Sequence, residues 1–260
     1  MKVLITGCSF SAGGGWLESN LHYHYSQILQ NSTNWQLVNR AVGGCSNREI
    51  SLRTVENCLL DYYDFCIVQW SSLHRLWLYE AEHNIDNKTQ IFPSTCGWGD
   101  LNAATKLSKM MIGRYLNDYM ALKQWFLDQI SLQAFFEKNH IKHVFIRGFP
   151  NYCPDIQKIL DQGTFSSIPE IEIPTNIKKI LNFEENPDDY LYDKILTLIK
   201  LYQLIDKSKC IGYNTNNTNY GLLENFSNDR ADDGMHPGKQ PNQLLSQLIL
   251  DYCYTTGIKF

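Results

Sequence analysis

The chain has 260 residues, a net charge of −4, 43% hydrophobic and 19% charged residues, the ordinary composition of a folded globular protein. Its 23 basic residues gather in no cluster, so neither a nucleic-acid backbone nor an anionic membrane is an expected partner. No run reaches the ~18 apolar residues that a membrane-crossing helix needs. Lys2 to Gly7 reads as a first strand, an apolar run of the kind buried on both faces. Trp16 to Gln30 fits a helix, broken by Asn31-Ser32-Thr33-Asn34, and Trp35 to Ala41 is a second strand closed by Gly43-Gly44. Ser46 with Glu49 three positions on forms a capping box that opens a helix over Asn47 to Tyr62. Asp64 to Trp70 is a third strand.

This β-α-β-α-β order with short connections predicts a parallel sheet with right-handed crossovers. The regular pattern lapses over 72–100, an irregular insertion expected at one end of the sheet. A helical stretch from Leu101 to Asn139 follows, then a strand from His143 to Gly148 and a loop-rich segment over 151–186. Asp188 to Lys207 reads as a helix, Cys210 to Tyr213 as a short last strand, and Pro237 to Tyr254 as a terminal helix. With no repeat and no linker, residues 1–260 are expected to form one domain. The eight cysteines show no C-x-x-C spacing and several sit inside apolar runs, where cysteine behaves as a small hydrophobe. Together with an opening that goes straight into a strand, this gives the expectation of a reduced, cytoplasmic protein.

The chemistry concentrates at the two ends. Met1 to Gly15 is a strand that stops abruptly and presents Cys8-Ser9-Phe10-Ser11 before three glycines. Ligands of open α/β sheets bind at the carboxyl ends of the strands. Ser9 is therefore a nucleophile, part of a nucleotide-binding turn, or a plain turn residue. A dinucleotide site fits poorly: Phe10 stands where the pyrophosphate needs a glycine, and Asn39-Arg40, not an acidic residue, ends the second strand. A phosphate-binding P-loop lacks its Gly-Lys-Ser/Thr.

Near the other end, Asp233-Gly-Met-His236 precedes Pro237-Gly238. Two intervening residues put the carboxylate and the imidazole on one face of a turn, within hydrogen-bonding reach. An aspartate so placed can hold the imidazole in the tautomer that accepts a serine proton. The bland alternatives are a capping histidine at 236, a turn serine at 9 and a strand-end glycine at 44. Acyl transfer also needs donors for an oxyanion, and the Ser9 amide, Gly44 and the end of the third strand are candidates. Arg75 is a candidate for binding an anionic part of a substrate, against a solvated surface arginine. His22 and His24 sit two apart with no third ligand at sensible spacing, so no metal is expected there.

These residues resemble the SGNH (GDSL-like) hydrolases, serine esterases and acyl hydrolases on a flavodoxin-like sheet. The usual Gly-Asp-Ser-x-Ser is here Gly7-Cys8-Ser9-Phe10-Ser11, the Asn-to-Gly block runs from Asn39 to Gly44, and the Asp-x-x-His pair is Asp233 and His236. The resemblance implies an α/β three-layer sandwich around a parallel sheet of about five strands. It implies Ser9 as nucleophile, His236 as base, Asp233 as its orienter, and the Ser9 amide, Gly44 and Ser71 as oxyanion donors. Ser71 stands in Gln69-Trp70-Ser71-Ser72, where the family has Gly-x-Asn-Asp, and Cys8 stands where it has Asp. The expected activity is cleavage of a carboxylic ester, with carbohydrate deacetylation one form of it, without metal or organic cofactor. O-acyl transfer by the same residues, or a non-catalytic binding module on the same fold, are the alternatives.

Overall fold

The computed structural model describes residues 1–73, 118–148, 189–212 and 229–258. Five strands form one parallel sheet: β1 (Lys2–Thr6), β2 (Gln36–Asn39), β3 (Phe65–Trp70), β4 (Lys142–Arg147) and β5 (Cys210–Ile211). Their spatial order is β2-β1-β3-β4-β5. The central strands carry Val3, Leu4, Ile5, Phe65, Cys66, Ile67, Val68, Val144, Phe145 and Ile146, all fully buried. That double-sided burial accounts for the unalternated apolar runs, and each large side chain so buried contributes about 1.5–3 kcal/mol.

The helices are α1 (Ser9–Ala12), α2 (Tyr25–Ser32), α3 (Asn47–Leu60), α4 (Asp118–Lys138), α5 (Asp189–Gln203) and α6 (Lys239–Thr255). The chain steps from β1 outward to β2, then back past β1 to β3. Right-handed crossovers on those two steps put α2 and α3 on opposite faces. Accordingly α2 packs with α6 on one side, while α3, α4 and α5 pack in succession on the other. The three-layer expectation holds for the described residues. Ser46 caps α3 by accepting the Glu49 amide at 3.2 Å, as the capping box requires.

One expected element is different. The stretch Trp16 to Gln30 is not a single helix: a 3₁₀ segment spans Glu18–Tyr23, and α2 starts only at Tyr25. His24 breaks it. Its backbone is extended (φ −70°, ψ 140°), and its ring is clamped between two partners. Nε2 donates to the Phe10 carbonyl at 2.8 Å, while Nδ1 accepts from the Ser26 hydroxyl at 2.7 Å. Burial holds this imidazole neutral, its pKa lowered to about 4 although the Phe10 carbonyl opposes that shift.

Candidate active site

The strand order reverses direction between β1 and β3, and the crevice at their carboxyl ends is where such sheets bind ligands. Thr6 pairs with Val68 there, so Ser9 and Ser71 each lie three residues beyond a paired position on neighbouring strands. The turn out of β1 depends on Gly7. Its φ is +156°, and a Cβ would come within 2.9 Å of the Gln69 carbonyl oxygen and of Ser11 Oγ. Ser9 opens α1, which ends at Gly13 in the left-handed conformation. As the first residue of a helix, Ser9 has an N–H with no carbonyl a turn earlier to bond. Asn39, at the end of β2, donates its amide to the Ser11 carbonyl at 2.6 Å and fixes α1 from the other side.

Beneath α1 lies a buried polar network. Tyr25 donates its hydroxyl to Ser11 Oγ at 2.7 Å, and Ser11 in turn donates to Gln69 Oε1 at 3.1 Å. Cys8 Sγ donates to the same oxygen at 3.3 Å, and Gln69 Nε2 donates to the Trp70 carbonyl. Cys8 is wholly buried, so the residue that departs from the family pattern acts here as a weak thiol donor in the floor of the site.

The segment 229–238 folds back onto the loop after α1. The Asp233 amide donates to the Gly15 carbonyl at 3.1 Å, and the Leu17 amide donates to Asp232 at 2.8 Å. Ala231 N–H donates to the His236 carbonyl at 2.9 Å, closing a tight turn around Gly234. Within it Asp233 Oδ2 lies 2.5 Å from His236 Nδ1, while Oδ1 accepts the amides of Met235 (2.9 Å) and His236 (3.0 Å). Partial burial pushes the Asp233 carboxyl up. The two amides and the imidazole outweigh that, and its pKa is lowered to about 2.

His236 Nε2 lies near Ser9. A Cβ placed on Gly14 would stand 3.0 Å from both His236 Nε2 and Ser9 Cβ, so Nε2 and the serine are neighbours across that glycine, with no hydrogen bond yet joining them. Such contacts are often loose before a substrate binds. Phe10 meets the His236 ring edge-on at 5.5 Å between centroids. Segments more than 220 positions apart in sequence thus meet beside Gly14: the hydrogen-bonded Asp233–His236 pair and Ser9.

Of the expected oxyanion donors, Gly44 sits in the left-handed conformation (φ +83°) just after β2. Its neighbour Gly43 has its Cβ position 3.8 Å from Ser9 Cβ. Ser71 is 4% exposed. Its amide donates to Asn47 Oδ1 at 2.7 Å, and its hydroxyl has no hydrogen-bond partner among the described residues. Arg75 and nearly all of the 72–100 insertion lie outside the described residues. Gly14, Gly15, Gly43, Gln69 and Asn47 were not singled out as site residues. The run of three glycines was the one visible signal for the first two. Among the described residues no group of three His, Cys, Asp or Glu side chains could hold a metal ion, and no helix is long and apolar enough to cross a membrane.

No family model and no curated protein matches the sequence. Solved structures do match. TesA superposes with a TM-score of 0.50 at 10% identity, over 98% of this chain and 99% of that one. The psychrotrophic esterase EstA from Pseudoalteromonas sp. gives 0.49 at 10% identity, covering 99% of each chain. The acetylxylan esterase Axe2 from Geobacillus stearothermophilus gives 0.46 at 13% identity, over 96% of this chain and 93% of that one. At such identities the likeness to TesA is one of fold, and it is the fold that the sequence resemblance implies.

Proposed function

We propose that this protein is a serine hydrolase of carboxylic esters, acting through an acyl-enzyme on Ser9. The observation that carries the reading is the Asp233 carboxylate on His236 Nδ1, with Ser9 and Nε2 both beside Gly14. Asp233, ionised far below neutral pH, keeps the proton on Nδ1 and leaves Nε2 as the base. Ser9 Oγ gives its proton to Nε2 as it attacks the ester carbonyl. The imidazolium then passes that proton to the departing alcohol, and water repeats the sequence to release the acid.

The tetrahedral oxyanion is received by the Ser9 amide, by Gly44 and by the Ser71 hydroxyl, which has no hydrogen-bond partner among the described residues. Removing one such donor costs on the order of 10²–10³ in rate. No metal or organic cofactor takes part in this scheme. Small acyl groups, as on acetylated carbohydrates, are the proposed substrate class.

The test uses p-nitrophenyl acetate as substrate and a fluorophosphonate as covalent probe. The wild type should hydrolyse the ester and carry one label on Ser9, and Ser9→Ala should do neither. Equal turnover by Ser9→Ala overturns the mechanism, and an unlabelled, inactive wild type points to a binding module on this fold.

A further inference from the structure

Asn242, on the first turn of α6, is 3% exposed and uses its whole side-chain amide. Nδ2 donates to the carbonyls of Pro237 (3.1 Å) and Gly238 (2.7 Å), the two residues that follow His236. Oδ1 accepts the amide of Tyr25 at 3.1 Å. Tyr25 is wholly buried, and its hydroxyl donates to Ser11 Oγ, two residues beyond Ser9. Ser11 then donates to Gln69 Oε1 on β3. The bonds run outward from Tyr25: its amide donates to Asn242, and its phenol donates to the Ser11 hydroxyl, which donates to the Gln69 amide oxygen.

The path matters because the histidine and the serine stand on separate pieces of chain. His236 belongs to a turn ahead of α6, and Ser9 to a short helix after β1. No covalent proximity and no direct hydrogen bond fixes their spacing. Asn242 and Tyr25 bridge the two supports through the interior.

We propose that Asn242 and Tyr25 are positioning residues that set the distance and angle between His236 Nε2 and Ser9. The inference rests on the hydrolase reading above. Neither side chain is assigned contact with substrate; they act through Pro237–Gly238 and through Ser11. A misplacement of about 1 Å at reacting groups can cost on the order of 10² in rate, so the expected signature is a loss in kcat at constant KM.

Tyr25→Phe is the main variant, since it removes one oxygen and keeps the ring that fills the core. It should lower kcat at least about tenfold, leave KM unchanged, and slow fluorophosphonate labelling of Ser9 in proportion. Asn242→Asp, which retains the acceptor for Tyr25 but loses both donors to the His236 turn, should act in the same way. Adding Tyr25→Phe to Ser11→Ala should cost no more than Ser11→Ala alone, because both cut the same path. Should Asn242→Asp fail to fold, Tyr25→Phe decides the matter. A lower melting temperature with unchanged kcat per folded molecule, or a rise in KM alone, overturns the positioning role. A wild type that neither turns over nor labels overturns the hydrolase reading first, and this inference with it.

Discussion

Gly15 and Asp233 are fitted to each other. A Cβ on Gly15 would sit 2.6 Å from Asp233 Oδ1 and 2.7 Å from Oδ2, while the Gly15 carbonyl accepts the Asp233 amide. The glycine therefore holds the Asp233 backbone and makes room for the carboxylate by having no side chain. Its φ of +83° adds a second demand for glycine.

Gly15→Ala should accordingly move the carboxylate off His236. The left-handed strain costs about 1 kcal/mol in stability. The larger effect is on chemistry, because Asp233 is pinned by three hydrogen bonds and cannot swing away freely. Esterase kcat should fall about 10- to 100-fold, measured with p-nitrophenyl acetate alongside urea unfolding. A variant with full activity would show that Asp233 does not need this position.

Ser71 carries a buried hydroxyl without a hydrogen-bond partner among the described residues. Such a group is costly to keep unless something binds it. Its backbone is held by Asn47, which accepts the Ser71 amide and donates weakly to the Ser72 carbonyl at 3.5 Å. If the hydroxyl serves a developing oxyanion, Ser71→Ala should lower kcat about 10- to 100-fold and leave the melting temperature unchanged or higher. Unchanged kcat with raised stability would remove Ser71 from the site.

His24 and His143 make stability depend on mild acid. Burial lowers both imidazoles to a pKa of about 4 in the fold, whereas in the unfolded chain they take a proton near the ordinary 6.5. Below 6.5 the unfolded chain binds protons that the folded chain refuses, so stability is complete above that pH and falls until about 4. Each ring accounts for up to roughly 3 kcal/mol over that window. Asp233 acts lower, its stabilisation lost from the usual carboxylate range down to about 2. Urea unfolding at pH 7 and 5 should show the loss, and His24→Gln with His143→Phe should flatten it. An unchanged slope in that double variant would place the dependence elsewhere.

Much of this was legible in the chain itself. Apolar runs too short for helices and too continuous for alternating strands announce a sheet buried on both faces, and their order dictates parallel pairing. Ser9, Asp233 and His236 could be picked out because each block is short and local: a strand end, and a carboxylate three residues before a histidine. His24 was hidden, since its effect on the Trp16–Gln30 helix comes from the Phe10 carbonyl. Local propensity contains no record of that partner.

The sequence by itself determined the sheet, its parallel sense and the candidate reacting groups, because each follows from neighbours in the chain and from one-dimensional periodicity. Only the tertiary structure decided that Asp233 docks on Gly15, that His236 and Ser9 share the space beside Gly14, and that Asn242 reaches Tyr25. Those contacts join segments more than 200 positions apart, and their geometry is set by how whole helices pack on the sheet. No pattern of residues along the chain encodes a distance of that kind.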